Sequence, residues 1–386
     1  MLAAAAGLVA LPFSPTLAVM LGADGSWDAS HHVRGISGVQ QLMRDAMGVR
    51  DEELAVAAVM TTSIYGMLML ADALSERARI RWPASWHCEN TECYDEMFCE
   101  PTRASLVRRP GNTYSNILYL FGALVIAPSA WSAGYPPRSH PSLFQVADAM
   151  FGGMLLALAT LSTIWHASNA PKSQYIDLWA MDSCIAFLIV RMACIGLLCT
   201  MVAAGVANAT AHAVAATTCA LLFAAVITLN ATKQIADSRA GLLDGGCPFA
   251  GRRRLQGRSP LGPVVVAEAA LFLGLPILFM LLPFVVQVYA ARTVGSRVAH
   301  TLMIASLSIG WGYRATERFF LDGCAPMNLV HRMQARAADA NNWLRSTALT
   351  ALAALVSPTA VLHFFTGVTL VIGYVHARTV DACLDL

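Results

Sequence analysis

Charge is scarce in this chain. Only 13% of its 386 residues are Asp, Glu, Lys or Arg, about half the share of a soluble domain. Phosphate loops, dinucleotide fingerprints and basic stripes interleaved with aromatics are all missing, so no nucleotide or nucleic-acid signature is present. The net charge of +2 argues neither way on that point. The ten cysteines contain no C-x-x-C pair, which leaves no basis for a zinc ribbon or a dithiol redox centre. The first apolar run, "MLAAAAGLVALPFSPTLAVMLG", lacks a basic leading segment and makes a poor signal peptide. A membrane segment, the remains of a targeting sequence and a truncated start all stay open for it. No internal repeat is evident.

What the chain has in abundance is apolar length. Hydrophobic residues make up 56%, and the mean hydropathy is +0.55. Apolar runs fall at roughly 54–75, 113–133, 143–168, 175–202, 206–229, 261–290, 298–320 and 350–376. Each reaches the ~20 residues that a helix needs to cross a bilayer. They predict an all-α, polytopic membrane protein: a seven-transmembrane-helix core plus one or two extra N-terminal apolar helices. The implied divisions are an N-terminal apolar region with an extra membrane helix (1–76), a polar cap with Cys88, Cys93 and Cys99 (77–112), the core (113–378) and a short tail (379–386). Basic residues crowd the loops on one side of this frame, which the positive-inside rule assigns to the cytoplasm. The cap cysteines, Cys247 and Cys324 fall on the same side, where bridges would require a lumen. Orientation stays open.

Polar side chains gather around the connection "LSTIWHASNAPKSQYIDLWAMD". Ser162 and His166, four apart, stack on one helix face. The turn then reverses the chain, and Asp177 belongs to an antiparallel neighbour. His363 sits near the start of the last span, which the seven-helix frame brings to the same membrane edge. Ionisable groups at such depth pair or line a polar cavity. The plain alternative makes His166 a helix-end residue and Asp177 an N-cap. Two neutral imidazoles and a carboxylate in a dry site suit zinc. Zinc would polarise a carbonyl and acidify water, with Ser162 donating to the developing oxyanion. Such a site hydrolyses a lipid amide or ester reached from the bilayer.

Four segments then carry a resemblance. They are Ser-x-x-x-His with Asp eleven residues on (Ser162, His166, Asp177); Asn-Thr-x-Ser-Asn (Asn112, Thr113, Ser115, Asn116); "ERFFLDGC", ending at Cys324; and "LHFFTGVTLVIGY" around His363. In order, and at matching helix ends, they resemble the alkaline ceramidase family, within the membrane-hydrolase superfamily that includes adiponectin-type receptors. The resemblance implies zinc held by the helix-2 His and by a His-x-x-x-His of the last helix. It implies a ceramide-like substrate cleaved to a sphingoid base and a fatty acid, in the ER, Golgi or another endomembrane. At one position the chain departs from the family: Thr359 stands where the other His of the last helix belongs, and a hydroxyl is a poor zinc ligand beside imidazole. Three readings follow. Asp177 or another His such as His331 completes the site; a weaker or different metal binds; or catalysis is lost, and the chain binds lipid or serves as a structural subunit of a membrane complex.

The family's calcium site would draw on Glu100 (or Glu89) and the neighbourhood of Asn112, where Arg108 and Arg109 replace an acidic residue. A guanidinium paired with Glu100 or Asp95 could hold the cap as calcium otherwise would; the alternative is a solvated charge cluster. The resemblance also suggests a bridge from the cap to Cys324, with Cys99 the first choice of partner and Cys88 the second. Asp182 and Arg191 read as interhelical polar contacts or cavity lining, Glu268 as a headgroup-level residue, and "GRRRLQGR" as a loop touching anionic lipid heads. Trp179, Trp311 and Tyr313 read as belt residues, and His212 and His300 face the opposite edge. No nucleic-acid partner is implied.

Overall fold

The computed structural model describes residues 51–78, 80–83, 100, 102–103, 105–131, 144–239, 302–303, 305–306, 308–310 and 358–383. Among them there is no strand. In chain order the helices are α1 (Asp51–Ala78), α2 (Pro110–Tyr114), α3 (Ile117–Trp131), α4 (Phe144–Ser168), α5 (Pro171–Ala203), α6 (Asn208–Arg239) and α7 (Pro358–Cys383). Four stretches are long and apolar enough to cross a bilayer: Asp51–Ser75, Phe144–Ser168, Lys172–Ala203 and Asn208–Ala236. The chain is an all-α integral membrane protein. The expected spans at 261–290, over most of 298–320 and at 350–357 lie outside the described residues, as do Cys88, Cys99, Cys324, His331 and Glu268.

Two of the expected helices start differently. The first core span is broken at Ser115–Asn116, so a short α2 precedes α3. The side chains explain the break. Ser115 Oγ donates to the Asn112 carbonyl at 2.8 Å, and Asn116 Nδ2 donates to the same oxygen at 3.2 Å. Both compete with the backbone for that acceptor. Helix α5 begins at Pro171, six residues before Asp177, because proline suits the first helical position. Asp177 therefore lies inside the helix rather than capping it.

Aromatic packing joins the core. Phe151 stacks on Phe187 at 4.2 Å, Phe187 meets Phe223 edge-on at 4.9 Å, and Tyr374 lies 5.8 Å from Phe151. This ties α4, α5, α6 and α7 together. Helices α3 and α4 approach so closely that a Cβ at Gly152 would stand 2.8 Å from the Ala127 backbone, an approach that only glycine permits. On α1, Leu54, Ala57, Thr61, Tyr65, Asp72 and Ser75 are buried at helical spacing, while Val59, Met60, Met67 and Leu70 stay exposed. The helix packs by one stripe and offers the other face to lipid. Tyr65 Oη lies 3.0 Å from Thr163 Oγ1 of α4.

A polar layer crosses the end of the bundle where α4 begins. Asp148 and Arg191 are fully buried. Asp148 Oδ1 accepts from Arg191 Nε at 3.3 Å. Its Oδ2 accepts from Tyr374 Oη at 3.2 Å and stands 3.6 Å from Arg378 Nη1. Arg191 also covers the Phe144 ring at 3.7 Å, a cation–π contact. One carboxylate thus joins three helices. Asp148→Ala leaves two guanidiniums facing each other in a dry interior. We expect it to cost about 3–5 kcal/mol, read as a lower unfolding midpoint in mixed-micelle titrations. An unchanged midpoint would show that the layer carries no stability.

Candidate functional site

The opposite end of the bundle brings the two imidazoles together. His166 lies in the last turn of α4, and His363 lies five residues into α7. Their ring centroids are 4.9 Å apart and their planes are tilted by 55°. Both rings are buried. The direction of α7 follows from two contacts: His363 meets His166 near the end of α4, and Arg378 meets Asp148 near its start. The two helices run antiparallel.

The Asn112–Asn116 turn favours one tautomer of His363. Its Nδ1 lies 3.1 Å from Ser115 Oγ and 3.4 Å from the Asn112 carbonyl oxygen. Ser115 already spends its proton on that carbonyl. With that bond kept, the tautomer with the proton on Nδ1 suits both oxygens, and it leaves Nε2 with its lone pair. Metal-binding histidines are oriented by this device. The segment "GNTYSN" therefore serves the last helix across the bundle, a role that no spacing within it reveals.

Ser162 is buried one turn below His166. Its Oγ approaches the Asp177 carboxylate without closing a hydrogen bond of good geometry. Tyr119 packs 6.1 Å from His363, and Trp165 lies 6.0 Å from His166. Thr359 is buried, and its hydroxyl has no hydrogen-bond partner.

A zinc ion can be tested against this geometry. Two imidazoles sharing one tetrahedral zinc through Zn–N bonds of ~2.0–2.1 Å hold their centroids about 5 Å apart, close to the 4.9 Å found. With its proton on Nδ1, His363 leaves Nε2 for the metal. The two imidazoles fit. Among the described residues, however, no three His, Cys, Asp or Glu side chains converge into a complete ligand set, and Thr359 contributes no imidazole.

Glu100 adopts a definite structural role. Its two carboxylate oxygens accept from the backbone N–H of Gly111 at 2.6 Å and of Asn112 at 3.0 Å. The side chain thereby satisfies the open amides of α2. Arg109 is fully buried at the N-cap of α2 and donates to Thr102 Oγ1 at 3.3 Å. Arg109 and Arg103 lie close enough to favour the Glu100 charge. The preceding loop is docked from both sides. Arg108 N–H donates to the Ala167 carbonyl at 3.1 Å, and Val107 N–H donates to Asp72 Oδ1 of α1 at 2.7 Å.

Asp182 is half-buried on α5 near Lys233. Arg191 belongs to the Asp148 layer, at the other end from the imidazoles. Sequence reasoning missed Asp148, Tyr119 and Asn169. The first had a usable signal, a lone carboxylate inside a lipid-length run. Compared with known proteins, the chain matches no family model, no curated protein and no solved structure.

Burial pushes the Glu100 carboxyl up to about 7, against the pull of the two amide hydrogen bonds and the nearby arginines. The folded state then holds a proton that the unfolded chain releases near its ordinary value of 4.5. This group's contribution to stability is full below that value. It declines as pH rises toward 7 and is flat above. Glu100→Gln should flatten the difference in melting temperature across that window. An identical slope in wild type and variant would remove Glu100 as its source.

Proposed function

We propose that the chain is a ceramidase-like intramembrane amidase, dependent on zinc, that hydrolyses a ceramide-type lipid to a sphingoid base and a fatty acid. The observation that carries this reading is the pair of buried imidazoles 4.9 Å apart, one of them with its Nδ1 3.4 Å from the Asn112 carbonyl oxygen. His166 and His363 are the groups that would hold the metal, with Asp177 beside them. When bound, zinc supplies Lewis acidity at the amide carbonyl and draws the pKa of water toward about 7.

The chain's own groups do the rest. Buried helix faces exclude bulk water and admit the acyl chain from lipid. Ser162 Oγ–H donates to the carbonyl oxygen as negative charge develops there. Asp177 accepts the proton of the attacking water and returns it to the amide nitrogen as the C–N bond breaks. Atoms balance as amide plus water giving amine plus carboxylic acid. An endomembrane such as the ER or Golgi is the proposed setting.

One observation favours a second reading. Thr359 replaces an imidazole, and no three-ligand set forms among the described residues. A silent homologue would bind lipid or support a membrane complex. Metal analysis separates the two. The enzyme reading expects about one zinc per chain in the purified protein, lost in His166→Ala and in His363→Ala, with amidase activity at least 100-fold lower, the lower end of what a general acid–base or metal contribution supplies. A folded wild type that takes up no zinc and cleaves no N-acyl amino-diol would establish the silent reading.

A further inference from the structure

A group that neither reading uses lies three residues beyond His166 in the chain. Asn169, in the two-residue turn between α4 and α5, is fully buried. Its backbone φ is +58°, left-handed space that Asn tolerates and Gly prefers. Its backbone N–H is satisfied by the Trp165 carbonyl at 2.7 Å, but neither Nδ2 nor Oδ1 of its side chain has a hydrogen-bond partner. Buried amides are almost always paired. A wholly unpaired one in a strained turn is a place kept for something else.

Counting residues along the two antiparallel helices places Thr359 at a comparable level. Asn169 lies three residues beyond His166, toward the membrane edge. Thr359 lies four residues before His363 on the antiparallel helix, and so in the same direction. At 1.5 Å per residue the two stand about 4.5 Å and about 6 Å from the imidazole level. The Thr359 hydroxyl is likewise buried and without a partner. Two more unpartnered atoms, Thr113 Oγ1 and Asn116 Oδ1, flank the turn that holds His363.

We propose that Asn169 and Thr359 form a headgroup subsite, over the imidazole pair, for a neutral lipid bearing hydroxyl and amide groups. The proposal rests on the hydrolase reading only for which bond lies over the imidazoles; binding itself does not need catalysis. The chemistry selects the head. A carboxamide and a hydroxyl each donate and accept. Hydroxyls and amides of a ligand answer both needs. A bare phosphate dianion offers only acceptors and leaves Asn169 Oδ1 without a donor; a bare ammonium offers only donors and leaves Asn169 Nδ2 without an acceptor. Thr359 is then a contact for the ligand head rather than an empty ligand position.

The test uses the full chain in detergent micelles and isothermal titration with three probes: a short-chain N-acyl amino-diol, its 1-phosphate and the free fatty acid. Wild type should bind the neutral amide most tightly. Asn169→Gly suits the left-handed turn, so its melting temperature should hold or rise. Its affinity for the neutral amide should fall about tenfold or more, as expected for one or two lost hydrogen bonds. Thr359→Val, equal in shape, should move affinity in the same direction. Asn169→Gly binding the neutral amide like wild type would overturn the proposal and leave Asn169 a turn residue, and tighter binding of the 1-phosphate would overturn it as well. Asn169-dependent binding in a wild type that never cleaves supports the subsite and sinks only the hydrolase.

Discussion

An ionisable group can sit inside a lipid-embedded bundle only where another helix answers it. Asp148 is the point at which this constraint acts most strongly. A bare carboxylate there would carry a desolvation cost that no membrane helix sustains. Arg191, Tyr374 and Arg378 offset it, and they come from two other helices. Satisfying this single charge fixes the axial register of α4, α5 and α7 at one end. With rigid helices, register set at one end is register set at the other. His166 and His363 meet because Asp148 and Arg378 meet: both pairs are spaced along the same two antiparallel helices. The polar layer at one end thus sets the imidazole pair at the other.

This division of labour bears on what was legible in the sequence. Helix positions were legible because apolar length is a local property, and α1, α4, α5 and α6 fall on the runs read from hydropathy. The stacking of Ser162 on His166 was legible for the same reason, since four-residue spacing on a helix needs no tertiary information. The approach of His166 to His363 could be reasoned from the expected helix order alone, because the four spans expected between them, an even number of crossings, return the chain to the same side. Interactions set by tertiary geometry were not legible. Ser115 and His363 are 248 residues apart, and Tyr374 answers Asp148 from 226 residues away. No local pattern encodes such pairs. The start of α5 was misjudged for a different reason: "NAPKS" reads as turn chemistry, yet Pro171 serves as the first helical residue.

The tautomer of His363 shows how a weak motif gains physical content. In the sequence, Asn112, Thr113, Ser115 and Asn116 carry no more information than any polar stretch at a helix start. In the fold, the side chains of Ser115 and Asn116 converge on one carbonyl, interrupt the helix there and turn that oxygen toward an imidazole on another helix. The break between α2 and α3 and the orientation of His363 are one event. A continuous helix would spend the Asn112 carbonyl on its own ladder and leave Nδ1 without a fixed acceptor. The cost of the interrupted ladder is offset by Glu100, whose carboxylate takes up the amides that the short α2 leaves open.

The extra helix α1 enters this account through the same segment. Asp72 Oδ1 accepts from Val107 N–H, and its Oδ2 stands 3.6 Å from Arg103 Nη1. Ser75 Oγ accepts from Leu106 N–H at 3.2 Å. One residue beyond Val107, Arg108 is bonded to Ala167, next to His166, and four residues beyond Arg108 stands the Asn112 carbonyl that faces His363 Nδ1. A loop held only by its own backbone would wander at a membrane edge, where few apolar contacts restrain it. Here it is fastened on one side to α1 and on the other to α4. Just beyond those fastenings stand the buried Arg109 and Asn112. On this argument α1 is not an appendage beside a complete core. It is the outer wall against which the site-bearing loop is set, and its own lipid-facing stripe lets that wall stand in the bilayer.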